Sequence, residues 1–326
     1  MNKDKFGRKI NYLRISVTDR CNLRCIYCMP QEGIKLFPHE EILSYEEIIK
    51  VAKASRNIGI DTIRITGGEP LIRKNLPYLI EELKKIDGIQ DIAITTNGIL
   101  LKKMLPELIS AGLKRVNISL DSLKKDKFFN ITRQDALYDV LSGIEKSLET
   151  GLSPIKINMV VIKGLNDDEI IDFVRLTERK PLIVRFIEYM PWGSLEKWDE
   201  KKILSAKDIK AIIEQEYGKI LPANINSKGP SDNFYINGFQ GFIGFITPLS
   251  EHFCGRCNRI RLTADGKLRL CLFSQQEIDI KSKIRAGSSI EELANFIANS
   301  INQKPEKIDI ANHIKNHPRE MSQIGG

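Results

Sequence analysis

The residues of this 326-residue chain best suited to chemistry are its six cysteines, which fall into two triplets. Cys21, Cys25 and Cys28 form a C-x3-C-x2-C run inside TDRCNLRCIYCMP, and Cys254, Cys257 and Cys271 form C-x2-C-x13-C. None is left over, and in a reducing compartment such clustering points to metal or redox chemistry and not to a disulfide framework. Thiolates are soft ligands that suit iron–sulfur clusters or zinc. A cubane cluster has four irons, so three thiolates leave one iron open. Zinc would need a fourth ligand, and the histidines are His39, His252, His313 and His317. The x3 spacing beside x2 is unusual for zinc, but His252, two residues from Cys254, keeps a zinc reading open for the second triplet.

The first triplet follows directly on a predicted strand. Strand candidates are Tyr12–Val17, Thr62–Thr66, Ile92–Thr96, Arg115–Leu120, Ile155–Ile162 and Leu182–Tyr189. Their near-continuous apolar character predicts parallel strands covered on both faces. Amphipathic stretches separate them. Ser44-Tyr-Glu-Glu47 reads as a capping box, Gly59 stands at a C-cap position, and Asn166-Asp-Asp-Glu169 reads as a second helix start of the same kind. Repeated βα units imply a parallel sheet, doubly wound or closed towards a barrel, with function at the strands' C-terminal ends. After a helix over Ser205–Tyr217 the texture turns Gly-, Asn- and Ser-rich, with short strands around Phe234–Ile236 and Phe242–Thr247 and a last helix over Ile290–Ile301. Two units are therefore expected, residues 1–220 and 221–326.

The gap between Cys257 and Cys271 has a local explanation. Ile260-Arg-Leu-Thr263 and Lys267-Leu-Arg-Leu-Cys271 flank Ala-Asp-Gly, a three-residue hairpin loop with Gly266 in the left-handed position. Pairing Thr263 with Lys267 sets Arg261 opposite Arg269 and Arg259 opposite Cys271, a like-charge pairing that calls for a nearby anion. A two-residue Asp-Gly turn would instead set Cys271 opposite Ile260.

Composition bounds the rest. Hydrophobic content of 42% supports a substantial core. No secretory signal and no membrane-spanning run is legible, which predicts a cytoplasmic protein away from membranes. A net charge of +8 does not by itself call for a nucleic-acid partner. A zinc protein binding nucleic acid through its basic surface is the non-enzymatic alternative. No G-x-x-x-x-G-K-[ST] phosphate loop is present.

C-x3-C-x-aromatic-C, with Tyr27 as the aromatic, resembles the signature of radical S-adenosylmethionine enzymes. Gly67-Gly68-Glu69-Pro70 after the second strand, Thr95-Thr-Asn-Gly98 after the third, Ser119-Leu-Asp-Ser122 after the fourth and Met190 after the sixth fall at matching strand ends. The resemblance implies an α/β partial (β/α)6 TIM-type barrel with a smaller C-terminal domain. It also implies a [4Fe-4S] cluster on the first triplet whose open iron binds S-adenosylmethionine, with Tyr27, Gly68, Ser119 and Met190 as cofactor contacts.

Two three-thiol clusters, with Asn258-Arg-Ile-Arg261 between Cys257 and Cys271, narrow the resemblance to the GTP 3′,8-cyclases of molybdenum-cofactor biosynthesis. That family implies a second [4Fe-4S] cluster on Cys254, Cys257 and Cys271, and GTP contacts from Arg14, Arg64, Thr95, Lys156, Arg259, the backbone of Ile260, and Arg261. Arg259 and Arg261 would serve catalysis directly. The implied reaction abstracts hydrogen from ribose C3′ and joins C3′ to guanine C8. Implied partners are a flavodoxin- or ferredoxin-type electron donor and a downstream cyclic pyranopterin monophosphate synthase, and a homodimer is allowed. The enzymatic alternative is another radical enzyme with an auxiliary cluster, acting on a peptide or nucleoside. The Gly325-Gly326 tail reads either as a disordered end or as a strand reaching into the site.

Overall fold

The computed structural model describes residues 3–192, 199–225, 229–314 and 317–325. Six strands lie within a residue of the sequence expectation: β1 (Tyr12–Ser16), β2 (Thr62–Thr66), β3 (Asp91–Thr96), β4 (Arg115–Ser119), β5 (Ile155–Val161) and β6 (Leu182–Glu188). They pair in sequence order, each parallel to the next. β7 (Leu221–Pro222), β8 (Asp232–Tyr235) and β9 (Phe242–Ile246) continue the sheet beyond β6, with β9 parallel to it. β10 (Arg259–Leu262), β11 (Lys267–Arg269) and β12 (Ile278–Asp279) continue it beyond β1, with β10 parallel to β1. One 12-stranded sheet results, and strands from the C-terminal third form both of its flanks.

The strands are not uniformly apolar, which corrects the sequence expectation. Leu13 and Ile15, Ile63 and Ile65, Ile94, Val116 and Ile118, Ile157, and Val184 face a layer of helices as one hydrophobic core. The alternate positions, Arg14, Arg64, Thr95, Asn117, Ser119, Lys156, Asn158 and Arg185, line a cavity on the other face. Every residue of β2 is buried, so both faces are covered as expected, but one is covered by protein and the other closes on a polar interior. Residues from both flanks, Arg259 and Arg261 of β10 and Ile246 of β9, line that same cavity. The sheet therefore curls around it as an open barrel, not as a flat doubly wound sheet.

The helix layer includes α1 (Tyr45–Asn57), α2 (Leu76–Lys84), α3 (Leu101–Ser110), α4 (Lys125–Thr132), α5 (Leu137–Glu149), α6 (Ile170–Arg175), α7 (Ala206–Tyr217), α8 (Lys281–Arg285) and α9 (Ile290–Ile301). The Ser44 hydroxyl accepts from Glu47 N while the Glu47 carboxylate accepts from Ser44 N, and α9 starts with the same reciprocal pair at Ser289 and Glu292. Such a cap stabilises a helix end by about 1 kcal/mol. Gly59 follows α1 at φ +97° as the C-cap position requires. α9 packs on α1, so the end of the chain is fastened to the first βα unit.

Asn166 and Glu169 do not form the expected capping box. Asn166 Nδ2 donates to Asp121 O and Val160 O, and its Oδ1 accepts from Ile162 N. The Glu169 carboxylate accepts from Ser122 Oγ and Leu123 N. Both side chains are recruited by tertiary partners and tie the end of β5 to the loop after β4, next to the cavity.

Candidate active site

The loop after β1 carries the first triplet. Cys28 N and Met29 N donate to Cys25 O at 2.9 and 3.2 Å, folding the three thiols back on one another. The loop after β2 is zipped to it: Gly68 N donates to Thr18 O and Glu69 N to Arg20 O, both at 2.7 Å. A Cβ on Gly68 would lie 2.2 Å from Arg20 O, so only glycine permits this approach. Glu69 then reaches across to the end of β3, accepting from Thr96 Oγ1 at 2.7 Å and Asn97 N at 2.6 Å. Its burial raises the carboxyl to about 7 against those hydrogen bonds. Asn97 Nδ2 donates to Asn22 Oδ1 at 2.7 Å and lies 3.9 Å from Cys21 Sγ. Tyr27 Oη donates to Asp121 Oδ2 at 2.6 Å, and Asp121 Oδ1 accepts from Val160 N at 2.8 Å. Burial lifts Asp121 to about 6.

All six cysteines are free thiols on the wall of the one cavity. Burial pushes Cys21 up to about 11 and holds Cys25 and Cys28 higher still. Thiols so desolvated become thiolates when a cation replaces their protons, and a cationic iron–sulfur core is the group this loop fits. Among the described residues no three histidine, cysteine, aspartate or glutamate side chains converge on one position that could hold a single ion. His252 Nδ1 instead lies 2.9 Å from Pro248 O. A cubane distributes its thiolates over separate irons and three thiols leave one iron open, whereas a zinc would need a fourth protein ligand.

The second triplet is held by the hairpin. Arg261 pairs with Arg269 and Leu262 with Leu268, Thr263 N donates to Lys267 O at 2.9 Å, and Gly266 sits at φ +77°. This is the three-residue loop and not the two-residue alternative. The like-charge pair is relieved by the chain itself: Arg269, fully buried, donates to Glu277 at 2.5 Å.

Arg261 belongs to a row of basic residues. Register places Arg261, Arg14 and Arg64 side by side on β10, β1 and β2, and Thr95, Asn117 and Lys156 side by side on β3, β4 and β5. Lys156, Arg64, Arg185 and Arg261 are 3–6% exposed. Burial first, and neighbouring cations next, press Lys156 down to about 6 and Arg185 to about 9. Burial likewise lowers Arg14 to about 10. The buried Nε atoms of Arg64 and Arg259 have no hydrogen-bond partner. Buried cations at this density require a polyanion, and guanidinium forks match phosphate oxygens.

The tail enters the cavity. Gly325 O accepts from Arg14 Nη2 at 3.1 Å and from Arg261 Nη1 at 3.2 Å. A Cβ there would lie 2.6 Å from Thr66 Oγ1, at a residue of φ +78°. Gly326 lies outside the described residues.

The cavity gathers the six cysteines with Tyr27, Gly68, Ser119, Met190, Arg14, Arg64, Thr95, Lys156, Arg259 and Arg261. Ile260 is the exception, since its side chain is buried in the hydrophobic core and only its backbone is available. Sequence reasoning missed Arg185, Asn117, Asp121 and Lys304, which share the cavity. Period-two counting back from Ser119 along β4 would have found Asn117, whereas Arg185 is marked only by its pairing with Asn158 across β5 and β6. Among the described residues no helix is long and apolar enough to cross a membrane.

A curled parallel sheet with a three-thiol loop after its first strand and a glycine-rich loop after its second defines a radical S-adenosylmethionine enzyme. The radical SAM superfamily model matches residues 15–177, and a Molybdenum Cofactor Synthesis C model matches residues 182–310. The chain belongs to the GTP 3′,8-cyclase family. It is 52% identical to the GTP 3′,8-cyclase of Thermodesulfovibrio yellowstonii over 99% of this chain and 100% of that one. It is 45% identical to Molybdenum cofactor biosynthesis protein 1 of Homo sapiens over 98% of this chain and 51% of that one. In fold it resembles Streptococcus suis SuiB bound to S-adenosylmethionine, with a TM-score of 0.56 at 16% identity, over 83% of this chain and 61% of that one.

Proposed function

We propose that residues 1–220 form the radical core and residues 221–326 the auxiliary-cluster and substrate part of an enzyme that converts GTP to its 3′,8-cyclised dihydro form. The observation that carries this reading is the shared cavity: two free-thiol triplets on its wall, lined also by the buried basic residues Arg64, Lys156 and Arg261 and the half-buried Arg14. When bound, the first cluster and S-adenosylmethionine supply one-electron cleavage and hydrogen-atom abstraction. Tyr27, Gly68, Ser119 and Met190 hold that cofactor beside Cys21, Cys25 and Cys28. Arg14, Arg64, Thr95 and Lys156 bind the triphosphate. Arg259, Arg261 and the Ile260 backbone orient the nucleotide against the second cluster on Cys254, Cys257 and Cys271, so that ribose C3′ and guanine C8 face each other. The curled sheet excludes water from the reacting centre.

Electrons would come from a flavodoxin- or ferredoxin-type donor in the cytoplasm, and the product would pass to a cyclic pyranopterin monophosphate synthase. The test is anaerobic incubation of reconstituted protein with dithionite, S-adenosylmethionine and GTP. GTP-dependent 5′-deoxyadenosine together with a cyclised nucleotide is expected, and deoxyadenosine formation indifferent to GTP would overturn the reading.

A further inference from the structure

Lys304 is one of the largest fully buried side chains in the molecule, 2% exposed, and nothing in the sequence marks it. It follows α9, where its backbone N donates to Ile301 O at 3.0 Å. Its ammonium donates to Arg259 O at 3.1 Å and to Leu270 O, each next to or near a cysteine arm of the hairpin. It lines the central cavity beside Cys254, Cys257 and Cys271. Among the described residues it has no carboxylate partner.

The segment that carries Lys304 is itself braced. Arg8 donates from Nη2 to Pro305 O at 2.7 Å and from Nη1 to Glu306 O at 3.0 Å. The same Nη1 donates to Cys254 O at 2.9 Å. Arg8 Nε is held by Asp4 Oδ2 at 2.6 Å, in an ion pair 6% and 0% exposed. Arg8 thus ties the start of the chain and the turn at Cys254 to the segment that carries Lys304.

An ammonium removed from water is costly unless an anion compensates it, and two carbonyl dipoles compensate it only in part. Three thiolates on a four-iron core of charge two-plus leave a net single negative charge, and one-electron reduction doubles it. We propose that Lys304 is the counter-cation of the second cluster: its ammonium stabilises the reduced, more negative state and fixes the Cys257 and Cys271 arms through their backbone carbonyls. Lys304 is a positioning residue, since it acts on the cluster through charge and on the thiols through the strands. The inference rests on the reading of Cys254, Cys257 and Cys271 as cluster ligands.

The test uses the full chain carrying Cys21→Ser, Cys25→Ser and Cys28→Ser, so that only the second cluster reports. Iron content and the electron paramagnetic resonance signal of this parent come first. A parent without a four-iron cluster would remove the functional reading itself, which separates that failure from failure of the present inference. Mediated reductive titration then compares Lys304→Gln, which keeps N–H donors and loses the charge, with Lys304→Arg, which keeps both. Lys304→Gln should shift the midpoint to lower potential and lose iron several-fold faster to a chelator, and Lys304→Arg should restore most of both. A glutamine variant that never loads beside an arginine variant that does supports the same conclusion. A glutamine midpoint equal to the parent's, equal shifts in both variants, or failure of both to load would overturn it.

Discussion

Gly68→Ala tests whether the approach of two loops sets the geometry of the first cluster. The added Cβ would stand 2.2 Å from Arg20 O, 2.6 Å from Arg20 C and 2.9 Å from Asp19 O, all backbone atoms with no rotamer to escape into. Ordinary contact begins at 3.4 Å, so one loop must retreat by 3.4 less 2.2, about 1.2 Å. That retreat breaks the hydrogen bonds from Gly68 N and Glu69 N, each worth about 0.5–1.5 kcal/mol. The cost is then about 1–3 kcal/mol of local stability. A displacement of about 1 Å at a reacting centre lowers the rate by about 100-fold. 5′-Deoxyadenosine formation should therefore fall about 100-fold, with weaker S-adenosylmethionine binding, measured beside iron content and thermal midpoint. Gly67→Ala, 2.8 Å from Thr18 O, should be milder, and Gly255→Ala, with nothing within 4 Å, should be nearly silent although it sits between Cys254 and Cys257. Turnover of Gly68→Ala within threefold of the parent, or no ranking among the three, would refute the argument.

Arg14→Ala and Arg64→Ala should each weaken GTP binding by about 10- to 150-fold, from about 1.5–3 kcal/mol per charged hydrogen bond, and flatten its salt dependence in isothermal titration. Gly325→Val should clash with Thr66 and Ser16 and abolish cyclisation while leaving iron content and thermal midpoint near the parent's; full cyclisation would show that the tail is dispensable. Lys156, pressed to about 6 mainly by burial, is mostly neutral at pH 8 in the nucleotide-free fold and protonated in the unfolded chain. Unfolding then takes up a proton, so this residue's contribution should make the nucleotide-free protein more stable as pH rises from about 6 towards 10.5. GTP should restore the charge, seen as uptake of up to one proton on binding in buffers of different ionisation enthalpy and lost in Lys156→Met.

What the sequence disclosed depended on how local each signal was. β1 to β6 were legible because short β-branched runs between amphipathic helices need no distant partner to be recognised, and Gly266 marked the hairpin turn but left two registers open, which the pairing of Arg261 with Arg269 decides. The inner face was harder to read. In Thr62-Ile-Arg-Ile-Thr66 all residues are buried, and only the curl of the sheet distinguishes the side facing helices from the side facing the cavity. Asn166 and Glu169 have the spacing of a cap, yet Asp121, Ser122 and Leu123 recruit them, and those partners are 45 to 47 positions away. Lys304 resembles any surface lysine until the carbonyls of Arg259 and Leu270 are beside it. The thiol triplets were the clearest signal because ligand spacing is a local property; the basic residues around them are assembled from five strands, β1, β2, β5, β6 and β10, and from Lys304 after α9.

The pairing of β10 with β1 also has a consequence for biosynthesis. Tyr12 waits for Arg259, 259 less 12 or 247 residues further on, to complete its hydrogen-bonding neighbourhood. At ribosomal speeds of about 5–20 residues per second, that edge stays unpaired for about 12–50 s. An unpaired parallel edge is a liability for association with another chain. The same interval leaves the Cys21 loop reachable from the side that Arg259, Arg261 and the tail later close, so the order of emergence gives iron delivery to the first triplet a period of open access before the cavity is sealed.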